Sequence, residues 1–135
     1  MNSQKNIRWK QRFQNFEKAY TLLERTVQIQ HPNEVEKGGM IQFFEMAFEL
    51  SWKMLKDYLE AEGFQVQSPR ETIKTAFQQG FITQGHDWID ALEDRNLTVH
   101  TYDENTADLV VDRIVNKYFL LLKELYKSFK EASRK

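Results

Sequence analysis

Between Met40 and Glu62 the chain is apolar around more of a helical circumference than a surface helix carries. Phe44, Ala47, Phe48, Ser51, Leu55, Tyr58 and Leu59 share one face, and Phe43, Met46, Leu50 and Met54 populate another. An ordinary amphipathic helix buries a single stripe, so this segment has to be covered by several neighbours, by a partner chain, or by both. Whatever else the chain forms must wrap around it.

The remaining sequence supplies helices for that purpose. From Trp9 the large apolar residues Phe13, Phe16, Tyr20, Leu23 and Val27 follow in alternating steps of four and three, which predicts a first helix running to about Gln30. His31-Pro32-Asn33 then opens a loop that Gly38-Gly39 closes, and Gly63 stops the second helix. Ser68-Pro69-Arg70-Glu71 combines a Ser cap, a Pro at the first helical position and a Glu placed for a capping box. It starts a short helix that turns Ile73, Ala76 and Phe77 inward and ends at Gly80. After Phe81-Ile82 and Gln84-Gly85, a fourth segment sets Trp88, Leu92, Arg95 and Val99 on one face. A last helix begins near Asp103 or Glu104 and runs to about Lys130, its acidic start and basic end matching the helix macrodipole. No alternating strand pattern is visible. The expected class is all-α: an up-and-down four-helix-type bundle with one or two additional short helices, one domain over residues 1–135.

Composition narrows the function. Hydrophobic residues at 41% and aromatics at 13% are too abundant for a disordered chain. With 19 Lys plus Arg against 20 Asp plus Glu, no global positive field recruits nucleic acid, so RNA binding must be local. Zero cysteines exclude disulfides, thiolate zinc sites and a cysteine nucleophile. His31 and His86 read as solvated residues beside loops, and no His pair has ligand spacing, so no transition-metal site and no cofactor is expected. The polar amino terminus and the shortness of the longest apolar run, Tyr118 to Leu122, predict a cytoplasmic chain without membrane contact. The glycines form no phosphate-cradling loop, and no serine sits in a nucleophile elbow.

Chemistry concentrates in Arg95-Asn96-Leu97-Thr98-Val99-His100-Thr101-Tyr102. Arginine can grip a phosphate through two N–H groups, and histidine exchanges protons near neutral pH. Five residues of one continuous helix turn about 500 degrees, so Arg95 and His100 would diverge by about 140 degrees. They act together only across a break in the helix or at a dimer interface, and Thr98, Thr101 and Asp103 favour such a break. A blander account is equally open on spacing alone: Arg95 paired with Asp94 or Glu93, His100 capping a turn, and Tyr102 packing where the last helix begins.

Three stretches in order carry a resemblance: Phe44-Glu45-Met46-Ala47-Phe48-Glu49-Leu50-Ser51-Trp52-Lys53, Ser68-Pro69-Arg70-Glu71, and Leu92-Glu93-Asp94-Arg95-Asn96-Leu97-Thr98-Val99-His100-Thr101-Tyr102-Asp103-Glu104. From about Phe13 to Leu125 the chain resembles the HEPN superfamily, in its nucleotidyltransferase substrate-binding branch. The resemblance implies a partner, a minimal nucleotidyltransferase, and a homodimer or higher even oligomer whose cleft joins Arg95 and His100. It implies metal-independent RNA cleavage by these two residues, with Asp94, Asn96 and Thr98 supporting them. It also implies silencing of a toxin by adenylylation of Tyr102. The same branch equally implies a non-catalytic subunit that binds a nucleotide or substrate for the nucleotidyltransferase.

Overall fold

The structure, a computed structural model, describes residues 3–97 and 103–135. Its helices are α1 (Ser3–Val27), α2 (Glu34–Ala61), α3 (Pro69–Gln78), α4 (Gly85–Leu97), α5 (Glu104–Arg113) and α6 (Phe119–Ser133), with a π turn, Ile114–Tyr118, joining α5 to α6. There is no strand among the described residues, and no helix among them is long and apolar enough to cross a membrane.

Local chemistry sets these ends. The side chain of Asn33 accepts from the Glu36 amide at 2.8 Å, and the Glu36 carboxylate accepts from the Asn33 amide at 2.9 Å. This reciprocal cap starts α2 at Glu34. Gly38 and Gly39, expected to close the loop, therefore lie inside the helix, because the cap upstream overrides their weak helical preference. Ser68 caps α3 from Pro69 onward as expected. Beyond α2 the chain turns through Gly63 at φ 97°, and Phe64 N–H donates back to the Leu59 carbonyl at 2.9 Å. Only a residue without a Cβ adopts that backbone cheaply.

Packing follows an up-and-down course. Arg12 pairs with Asp57 at 2.9 Å and Arg8 with Glu60 at 3.9 Å, so α1 and α2 run antiparallel. Along α6, Phe129 meets Trp9, Tyr126 meets Phe13, and Phe119 meets Tyr20, again antiparallel to α1. Tyr126 stacks on Tyr20 at 4.4 Å between ring centres. α2 is touched by α1, α3, α4, α5 and α6, which is the many-sided cover its sequence demands. Phe44, Phe48, Met54, Leu55 and Leu59 are buried, while Met46 keeps 38% of its surface exposed and Phe43 and Leu50 are half-buried.

Three further expectations are corrected. α1 ends at Val27, short of Gln30. Phe77 points outward and is half exposed; its ring lies where a Cβ on Gly85 would stand, covering the start of α4 from outside. The final helix is not uniform α, since the Phe119 amide donates to the Ile114 carbonyl five residues back, widening one turn.

Candidate functional site

Two adjacent residues of α4 grip different neighbours. Asp94 is buried, and its carboxylate accepts from Arg113 Nη1 at 2.8 and 2.9 Å and from the Tyr118 hydroxyl. Arg95, about 100 degrees further around the helix, donates from Nη2 to Glu49 of α2 at 2.7 Å. Its Nη1 reaches the side-chain oxygen of Asn96 at 3.3 Å. Glu49 also accepts from Trp52 Nε1 at 3.1 Å and stands 3.4 Å from Lys53. The Arg95 side chain is 37% exposed, so its guanidinium sits half in water beside a carboxylate.

The pairing of Arg95 with Asp94 or Glu93 is thereby overturned. Asp94 is engaged by Arg113 and Tyr118, Glu93 stands 3.6 Å from Arg70, and Arg95 reaches across to α2. Thr98, His100 and Tyr102 lie outside the described residues. Of the expected site, the structure thus places Asp94, Arg95 and Asn96.

Sequence reasoning missed the groups that hold these three. On α4, Asp87, Asp90 and Asp94 recur at helical spacing; on the facing helix, Arg113 and Lys117 stand four apart. Lys117 bridges Asp90 at 2.7 Å and Asp87 at 3.3 Å. The hydrogen bond from Lys117 holds the Asp90 carboxyl below its ordinary value, and the bond to Asp90 in turn raises Lys117. Arg113 is raised by its bond to Asp94, and the Tyr118 hydroxyl is pushed up by burial first and then by Asp94. Both stripes could be seen at helical spacing; which helix faces which could not.

On the side where α2 and α5 begin, a groove of about 560 Å³ is lined by Glu34, Lys37, Ile41, Glu45, Glu104 and Asp108. Lys37 bridges to Asp108 at 2.9 Å, leaving the groove net acidic. An anion is repelled from that groove.

Comparison with known proteins adds four likenesses. The model of the family described as "Nucleotidyltransferase substrate binding protein like" matches residues 11–131. The Haemophilus influenzae protein named "Probable ribonuclease HepT" is 31% identical over 93 residues, 62% of this chain; the chain spans 64% of the length of that curated relative. A solved protein of Thermus thermophilus superposes with a TM-score of 0.76 at 32% identity, covering 89% of this chain and 99% of the other. A second, from Haemophilus influenzae, described as having the fold of a substrate binding domain of a nucleotidyltransferase, gives a TM-score of 0.76 at 25% identity, with 91% and 99% covered.

Proposed function

Since this chain belongs to the nucleotidyltransferase substrate-binding-protein-like family, the corresponding branch of the HEPN superfamily, we propose that it partners a minimal nucleotidyltransferase as a metal-independent ribonuclease toxin. The observation that supports this most is Arg95: a half-exposed guanidinium, steadied by Glu49, at the head of the stretch Arg95-x4-His100-x-Tyr102. In the reaction His100 takes the proton of an RNA 2′-hydroxyl, whose oxygen attacks the adjacent phosphorus. Arg95 stabilises the charge on the pentavalent phosphate, and the 5′-oxygen leaves taking a proton from water, yielding a 2′,3′-cyclic phosphate and a 5′-hydroxyl. Asp94, Asn96 and Thr98 support the pair. Silencing is adenylylation: the Tyr102 phenol oxygen attacks the α-phosphate of ATP held by the nucleotidyltransferase, and pyrophosphate leaves.

A homodimer brings Arg95 and His100 of the two chains into one cleft. In its favour, Met46, one turn before Glu49 on the same face of α2, is an exposed apolar residue. Such a face is covered by a second copy at little cost in solvation. The work of this protein is then cytoplasmic, on RNA, with the nucleotidyltransferase as its regulator.

The test is incubation of the purified chain with single-stranded RNA in EDTA. The expected result is cleavage with cyclic-phosphate ends, abolished in His100→Ala. Intact RNA after prolonged incubation with the wild type rejects the ribonuclease. A second reading then applies, favoured by the net charge of -1 and the acidic groove: a non-catalytic subunit in which Arg95 grips the phosphate of a nucleotide for the nucleotidyltransferase. It requires that Arg95→Ala weaken nucleotide binding.

A further inference from the structure

The π turn at Ile114–Tyr118 lies against α4, the helix that carries Arg95. In a regular α-helix, side chains five apart diverge by about 140 degrees, so Arg113 and Tyr118 would face different neighbours. In a π turn the i to i+5 hydrogen bond adds a residue to the turn, and side chains five apart come much closer to one face. Here the Phe119 amide bonds the Ile114 carbonyl, and Arg113 and Tyr118 both reach Asp94. The widened turn thus delivers two donors to one buried carboxylate.

That carboxylate immediately precedes Arg95. With Lys117 on Asp90 and Asp87, the contact fixes how far α4 is rotated about its own axis. Rotation of α4 in turn decides whether Arg95 points at Glu49. We propose that Asp94 and Tyr118 are positioning residues: together with the π turn they set the direction of the Arg95 guanidinium without touching substrate. This rests on Arg95 being the phosphate-binding group of the proposed function. The π turn stands where a uniform helix would lose one of the two donors, and a backbone irregularity of this kind persists only where its surroundings hold it.

The experiment compares the wild type with Tyr118→Phe and Asp94→Asn. Tyr118→Phe removes one oxygen and leaves the ring stacked on Phe44, so it remains folded even where Asp94→Asn does not. The direct readout is the Arg95 Nε–Hε resonance by NMR, assigned through Arg95→Lys. The expected result is displacement of that signal in folded Tyr118→Phe. In RNA cleavage the companion result is a kcat about ten- to hundredfold lower at nearly constant KM, since misplacement acts on the reacting geometry. An unmoved Arg95 signal in folded Tyr118→Phe overturns the proposal. So does an equal displacement in Phe129→Leu, a core change remote from α4, because that would mark general loosening. If the wild type leaves RNA intact, the ribonuclease reading fails, while the Arg95 signal still decides the positioning role.

Discussion

Glu49 and Arg95 stand 46 residues apart in the chain and 2.7 Å apart in space, joining α2 to α4 through a charge-assisted hydrogen bond. A phosphate approaching Arg95 meets a guanidinium that already serves a carboxylate. Glu49→Gln keeps an oxygen for Trp52 and removes the charge. Its expected effect is tighter binding of an uncleavable 2′-deoxy-substituted RNA oligonucleotide, by about three- to tenfold, with stability altered by less than about 1 kcal/mol for so exposed a pair. Fluorescence anisotropy and thermal melting measure both. Weaker binding would mean that Glu49 organises Arg95 more than it competes with the ligand.

Gly38 and Gly39 offer a second prediction. Both lie within α2, and a Cβ added to either meets nothing within 4 Å. Alanine at each removes backbone freedom from the unfolded chain without strain in the folded one, stabilising by about 0.5–1 kcal/mol per site. Gly63→Ala goes the other way, because φ 97° is strained for any residue with a Cβ. Chemical denaturation of the three variants distinguishes the signs, and a destabilised Gly38→Ala would point to a packing role for the bare backbone.

Those glycines also mark where the sequence stopped being legible. Helix existence and the buried faces could be read from apolar spacing, because α1, α2 and α6 carry stripes too regular for another period. Gly38-Gly39 misled because a pair of glycines speaks for a turn locally, while the capping box of Asn33 and Glu36 decides the outcome from five residues upstream. The π turn left no mark: Ile114 to Tyr118 contains neither Pro nor Gly, and its apolar residues suit a uniform helix. At the site, Arg95 could be found from its chemistry, whereas Glu49, Arg113 and Tyr118 could not, since only tertiary contact defines them. His100 and Tyr102 rest on the sequence alone.

The core supplies a third prediction. Phe16 is fully buried on α1, its ring 6.1 Å from Tyr20 and 6.3 Å from Phe13. Phe16→Ala leaves a cavity that helices on both sides can only partly close, at a cost of about 3–5 kcal/mol. Against a total stability of about 5–15 kcal/mol for a domain, that is a large fraction. A urea midpoint lowered accordingly, with an unchanged slope, is expected. A loss below about 1 kcal/mol would show that the aromatic ladder between α1 and α6 repacks.

Stability should also follow the ion pairs between helices. Glu17 is held below its ordinary 4.5 by the hydrogen bond from Lys130 first and that from Tyr126 next, and Asp90 below its ordinary 3.8 by Lys117. A carboxyl depressed on folding contributes stability that is complete above its ordinary value and lost as pH falls through the depressed one. Lys130 and Lys117 are raised above 10.5 by the same bonds, so their contribution is complete below that value and lost as pH rises through the raised one. The melting temperature is therefore expected to hold level through neutral pH, to fall on the acid side below about 4, and to fall again above about 10.5. Replacing both acids, Glu17→Gln with Asp90→Asn, lowers the neutral plateau and flattens the acid limb. Melting curves across pH for the wild type and this double variant test it: an acid limb of unchanged steepness would show that Glu17 and Asp90 do not govern acid unfolding.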